Sequence, residues 1–280
     1  MPAPQWADSQ DEPSESERKM DLGLKDKVIV VTGGGSGIGA AISRACIAEG
    51  ARVVVLSRPE RVVEEFMAEM RAAGAGCELI ELELQDTERC RAVIREIEER
   101  FGEIYGLVNN AGVNDSVGLE LGSVERFLES LNRNLTHCYA LAHFALPALK
   151  RSQGSIVNIG SKVALTGQGN TSGYAAAKGA LLALTREWAA ELLPYGIRVN
   201  AVMPAEVMTP LYTSWLNTLG DPEGKLKQIT DKIPLGKRMT LTSEIAAAVV
   251  FLLSPAQSGH TTGQQLHVDG GYVHLDRALT

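Results

Sequence analysis

Blocks of apolar residues alternate with amphipathic stretches along almost the whole chain. Val28-Ile29-Val30-Val31 is a short unbroken apolar run, as expected of a strand covered on both faces. Glycines follow, then helical spacing from Ile38 to Glu49. Arg52–Leu56 reads as a second strand and Arg61–Ala73 as a helix. Glu78–Leu84 alternates like a strand, Glu88–Phe101 is helical, and Gly106–Asn109 is a fourth strand. One long helical region spans Val124–Leu149. Ser155–Ile159, Arg198–Val202 and Gln265–Val268 read as strands, with helices at Tyr174–Leu193 and Ser243–Leu253. Strands that alternate with helices form βαβ units. The expected fold is therefore α/β, a single doubly wound parallel sheet with helices on both faces.

Two segments break the alternation. Residues 1–20 are polar and acidic, cannot bury a core, and are expected to be disordered. The domain then runs over residues 21–280, with no composition break that would mark a second one. Within it, residues 208–235 are punctuated by Pro and Gly and carry Tyr212 and Trp215. An irregular insertion after a strand's carboxyl end is expected to be a lid or substrate loop. The alternative is a pair of surface helices.

Composition narrows the function. With 45% apolar residues, the 280-residue chain can bury one large core. A net charge of −7 argues against nucleic acid as a partner, which requires a basic face. Cys46, Cys77, Cys90 and Cys138 are scattered, without CxxC or metal spacing, so no metal is expected and the thiols read as small buried hydrophobes. No apolar run reaches membrane-spanning length, and the opening stretch is not basic and then apolar. A cytoplasmic protein without membrane association is expected.

The chemistry concentrates in three places. Thr32-Gly33-Gly34-Gly35-Ser36-Gly37-Ile38-Gly39 lies between a strand and a helix, where glycines admit a pyrophosphate to free helix N–H groups. Asn109-Asn110-Ala111-Gly112 follows the fourth strand, as suits a crevice over a cofactor. Tyr174 and Lys178 are four residues apart on one helix face, with Ser161 shortly before them. An ammonium beside a phenol favours the phenolate, and a serine hydroxyl can hold a substrate oxygen against it. That is apparatus for moving a proton on or off an alcohol. The second strand ends in Leu56-Ser57-Arg58, with a hydroxyl and a guanidinium in place of an acid. A 2′-phosphate would meet no repulsion there, which favours NADP while leaving NAD open.

From about Leu24 onward the chain resembles the short-chain dehydrogenase/reductases, of Rossmann-like fold. The glycine run matches TGxxxGIG, Asn109–Gly112 matches NNAG, and Ser161, Tyr174 and Lys178 match the Ser and YxxxK of that family. Asn134 matches its active-site Asn by distance beyond NNAG. Glu83 replaces the usual Asp near the adenine, and Pro204-Ala205 replaces Pro-Gly. The resemblance implies Tyr174 as general acid/base, Lys178 as its charge partner and ribose ligand, Ser161 as substrate orienter and Asn134 as holder of a relay water. It implies nucleotide contacts at Gly33, Ser36, Gly37, Ile38, Ser57, Arg58, Glu83 and Leu84. It adds Asn110, Ala111, Gly112, Tyr174, Lys178, Pro204, Val207 and Thr209. A homotetramer or homodimer packed through the long helices is also implied, with Ala175, Ala176, Ala177, Ala180, Ala183 and Ala189 small enough for close contact.

For the substrate, polar residues dominate the segments that should line the pocket: Asn114, Asp115, Gln168, Asn170 and Glu206, with Trp215 in the lid. Together with Ser161 and Tyr174 they suit a sugar or polyol, whose hydroxyls each find a partner. Val113-Asn114-Asp115, the stretch from Thr166 to Gly173 and the stretch from Pro204 to Tyr212 are similar to bacterial L-fucose dehydrogenases. So is the tail from Val273 to Arg277. That likeness implies oxidation of an anomeric carbon to a lactone. Alternatives are a 3-oxoacyl-carrier-protein reductase, another carbonyl reductase or alcohol dehydrogenase, and a catalytically silent binding protein.

Overall fold

The computed structural model describes residues 20–275, so the expected disordered extension, apart from Met20, lies outside the described residues, as do Asp276 and Arg277. The elements in chain order are β1 Val28–Thr32, α1 Gly37–Ala48, β2 Arg52–Ser57, α2 Arg61–Ala72, β3 Cys77–Glu81, α3 Thr87–Phe101 and β4 Gly106–Asn109. There follow α4 Val124–Leu131, α5 His137–Ser152, β5 Ser155–Ile159, α6 Ser172–Glu191 and β6 Arg198–Pro204. The chain closes with α7 Pro210–Leu216, α8 Pro222–Thr230, α9 Thr242–Leu253, α10 Pro255–Ser258 and β7 Gln265–Val268.

All seven strands are parallel, in the order β3-β2-β1-β4-β5-β6-β7. The apolar runs are continuous because both faces are covered. Ile29, Val31, Val53 and Val55 face the layer of α1, α2 and α9, beside Ile42, Cys46 and Val249. Val28, Val30, Val54 and Leu56 face α3 and α5, beside Val93, Ile97 and Leu141. Each such aliphatic side chain contributes about 1.5–3 kcal/mol on full burial. Buried Arg198 donates to the last carbonyls of α9, Leu252 O at 2.6 Å and Leu253 O at 3.0 Å, where the helix dipole favours a cation.

The structure departs from the sequence reading in three places. The single helix expected over Val124–Leu149 is interrupted by a π turn at Asn132–Thr136, which divides it into α4 and α5. The wide turn turns Asn134 inward, where its Nδ2 donates to Ser130 O at 3.0 Å and its Oδ1 accepts from Val113 N at 2.7 Å. The insertion is not irregular but holds the two short helices α7 and α8. Thr209 and Asp221 cap them, and Pro210 and Pro222 occupy their first turns, where a missing N–H costs nothing. The strand expected to reach Leu84 stops at Glu81 and leaves Glu83 and Leu84 in the loop before α3.

Cys46, Cys90 and Cys138 are buried, Cys77 is partly so, and all four are free thiols. Burial pushes the Cys46 thiol up to about 12, so it packs as an unreactive hydrophobe. Among the described residues, no helix is long and apolar enough to cross a membrane.

Candidate active site

Strand order reverses between β1 and β4, so a crevice opens outside their carboxyl ends. The chain rigidifies this point with hydrogen bonds between side chains and backbone. Thr32 Oγ1 accepts from Asn110 N at 2.9 Å and Ala111 N at 3.0 Å, and Asn110 Nδ2 donates to Thr32 O at 2.8 Å. Gly33 adopts φ +62° and Gly37 φ +51°, in the left-handed region. Gly39 fits for another reason, since a Cβ there would lie 2.1 Å from Gly33 O. Helix α1 begins without an acid in its first turn, and Ser36 does not spend its hydroxyl on the cap. The N–H groups and positive dipole end of α1 are uncommitted, as an anionic pyrophosphate requires. A cleft of about 380 Å³ runs from Gly35, Ser36 and Gly37 past Arg44 to Met208 and Pro210. Thr209, the cap of α7, lies 3.5 Å from where a Cβ on Gly37 would stand.

The remaining nucleotide candidates line the same edge. Ser57 is half-buried at the end of β2, and Arg58 is exposed and paired with Glu60 at 2.7 Å. An exposed pair of this kind contributes about 0–1 kcal/mol, so a phosphate can displace the carboxylate. Glu83 is exposed and Leu84 half-buried beyond β3. Pro204 closes β6, and Val207 is buried and bridges to Thr240.

Beyond β4, Asn134 and Lys178 come together, with Tyr174 close to Lys178. Lys178 is buried, and its Nζ donates to Ile159 O at 2.7 Å, two residues before Ser161. A Cβ on Gly112 would lie 3.1 Å from Asn134 Oδ1 and 3.4 Å from Lys178 Nζ, so these three share one small space. Tyr174 is half-buried, one turn before Lys178 on α6, with Lys178 Nζ 5.7 Å from its ring centre. Ser161 accepts from Val163 N at 3.4 Å and so caps the turn that follows β5. His137, deeply buried, has its pKa pushed down to about 4 by desolvation and then by the charge of Lys178. It is neutral at pH 7 and does not compete with that charge.

The substrate candidates divide. Asn114, Gln168 and Asn170 are exposed around the opening. Asn114 Oδ1 accepts from Ser116 N at 3.2 Å in an Asx turn. Asp115 accepts from Ser130 Oγ at 2.9 Å, beneath the close approach of α4 to Gly173. Trp215 is exposed on α7 and stands edge-on to Tyr212 at 5.2 Å. Glu206 is drawn into an ion pair with Lys162, while its Oε2 accepts from Tyr212 at 2.9 Å. Sequence reasoning did not single out Lys162 or Tyr272, whose ring centre is 4.4 Å from Lys162 Nζ. The only local signal was a lysine directly after the serine; its counter-ion stands 44 residues away.

The glycine crevice and the Lys178 cluster define a nucleotide-dependent oxidoreductase, and the chain belongs to the short-chain dehydrogenase/reductase family. The family model described as enoyl-(acyl carrier protein) reductase matches residues 33–273. The L-fucose dehydrogenase of Oryctolagus cuniculus is 39% identical over 246 residues, 88% of this chain and 84% of that one. The solved structure of Cj0485 dehydrogenase is similar at a TM-score of 0.88 and 44% identity, covering 93% of this chain and 99% of that one. The aldohexose dehydrogenase of Thermoplasma acidophilum is similar at a TM-score of 0.82 and 32% identity, covering 92% and 98% respectively. The family's cofactor is NAD or NADP, and the crevice at Gly33–Gly39 fits it by the uncommitted helix end described above.

Proposed function

We propose that the chain oxidises the anomeric carbon of a neutral aldose, L-fucose or a close analogue, to its lactone, with NADP as the favoured acceptor. The observation that carries this is Lys178, buried, fixed to Ile159 O and one turn from Tyr174. The rabbit relative and the Thermoplasma structure, both sugar dehydrogenases, support the substrate class. Ser161 Oγ and the Tyr174 hydroxyl hold the anomeric hydroxyl. Tyr174 takes its proton, and Lys178 stabilises the phenolate charge from which that transfer starts. The bound nicotinamide nucleotide supplies the hydride acceptor. Loss of the C1 hydride and the hydroxyl proton leaves the carbonyl of the lactone, so the redox balance closes. Asn134, fixed at the π turn beside Lys178, serves the relay that returns the proton to solvent.

Asn114, Gln168, Asn170 and Trp215 are assigned to the sugar's outer hydroxyls and its apolar face. Ser57 and Arg58 receive the 2′-phosphate. A homotetramer or homodimer is assigned to the face of α4 and α5 where Val124, Leu128 and Tyr139 stand exposed; light scattering on the eluted protein reads it. The substrate assignment is tested with aldoses, polyols and an acetoacetyl thioester against both nucleotides, followed by nicotinamide absorbance. L-fucose or a close analogue with NADP should show the highest kcat/KM. Turnover of the thioester alone would overturn the sugar reading.

A further inference from the structure

Lys162 follows Ser161 directly, and its side chain is almost wholly buried. A buried ammonium is costly unless it is paired. Its partners come from segments remote in sequence. Nζ pairs with Glu206 Oε1, beyond β6, and lies over the ring of Tyr272, in the tail beyond β7. The other carboxylate oxygen, Glu206 Oε2, accepts from the Tyr212 hydroxyl on α7. Tyr272 is held in its own turn by Asp269, which accepts from Gly271 N at 2.8 Å and Val273 N at 3.0 Å. The carbonyl of Lys162 in turn accepts from Thr166 Oγ1 at 3.1 Å and from Leu165 N at 2.9 Å, so its backbone sets the start of the loop that leads to Gln168 and Asn170.

One oxygen of Glu206 thus serves the serine loop and the other serves the lid, which is the geometry of a strut. Burial keeps the Tyr212 hydroxyl protonated, its pKa pushed up to about 12, so it stays a donor. The strut carries no net charge, in keeping with a neutral sugar.

We propose that Lys162 and Glu206 are positioning residues that tie lid helix α7 to the Ser161 loop, and that Glu206 acts through Lys162 and Tyr212 rather than by gripping substrate. This rests on Ser161 and Tyr174 handling the proton, as proposed above.

The test uses the full chain loaded with NADPH for amide exchange, and L-fucose with NADP for kinetics. Tyr212→Phe cuts only the tie to the lid. It should speed exchange over residues 210–216 but not 161–166, and raise KM for L-fucose more than it lowers kcat. The double variant Lys162→Met/Glu206→Leu removes both charges and leaves neither orphaned, so it should fold. It should speed exchange in both segments and lower kcat by about tenfold or more, because small misplacements at a reacting centre are expensive. Its NADPH affinity should stay within about twofold of the parent. Lys162→Arg keeps the charge and should recover most of the lost kcat.

A double variant with parental exchange in both segments and parental kcat and KM overturns the strut. So does a kinetic loss that only follows a loss of NADPH affinity or of thermal stability. Tyr174→Phe, run in parallel, separates the two ideas. If it stays active, the proton-transfer reading fails. If it is inactive while the double variant behaves as the parent, only the strut fails. If the parent does not oxidise L-fucose, the sugar assignment fails and the exchange data still decide the strut.

Discussion

The two sides of the crevice are built by different means. On the nucleotide side the backbone makes most of the site: Gly33 and Gly37 take conformations other residues avoid, Gly39 clears the Gly33 carbonyl, and the Thr32 hydroxyl alone pins the backbone of Asn110 and Ala111. On the side assigned to the substrate, side chains from three distant segments make it, through Lys162, Glu206 with Tyr212, and Tyr272. A backbone site depends on having no side chain at fixed positions, and it serves a ligand common to a whole family. A side-chain site can be rebuilt by single substitutions, and it is where substrate choice resides.

The sharpest way to break this contrast is Gly39→Ala. One methyl group meets a backbone carbonyl that cannot move aside, so thermal unfolding should show a loss of about 3 kcal/mol, with nucleotide binding lost as well. Unchanged stability would mean the loop is not constrained as described.

A smaller effect tests the buried cluster between the two sides. His137 is neutral in the folded chain because burial and Lys178 hold its pKa near 4, while the unfolded chain binds a proton below about 6.5. The folded pKa is depressed, so the unfolded state binds more protons between those values. Stability should therefore fall as pH drops from 6.5 towards 4, by about 2 kcal/mol on reaching pH 5. Denaturant titrations at several pH values should show this slope in the parent and not in His137→Leu.

The smallest effect sharpens the nucleotide side. Ser57→Asp places a carboxylate where the 2′-phosphate is assigned. The ratio of kcat/KM for NADP over NAD should fall by about tenfold or more, equivalent to about 1.4 kcal/mol. An unchanged ratio would remove Ser57 and Arg58 from cofactor choice.

The legibility of the sequence follows the same division. Strands such as Val28–Thr32 were readable because both-face burial demands an unbroken apolar run, and the glycine loop because its setting between strand and helix is local. The pairing of Tyr174 with Lys178 was equally local, a matter of four residues on one helix. The π turn was not readable, because Asn132-Arg133-Asn134-Leu135 fits an ordinary helix, and Asn134 finds its partner Val113 only in the folded chain. Helices α7 and α8 were concealed by their own start signals, since Pro210 and Pro222 read as breakers until Thr209 and Asp221 are seen capping them. The ion pair of Lys162 with Glu206 left no trace in any local window, because it forms only once β5 and β6 lie side by side.

Removal of the sugar proton is assigned to Tyr174, one helical turn from buried Lys178. Turnover of L-fucose by Tyr174→Phe, with NADP and NADPH absorbance as the signal, tests it most directly. kcat should fall by about 10³-fold, far more than any change in nucleotide affinity. A variant that keeps the parental kcat would contradict it.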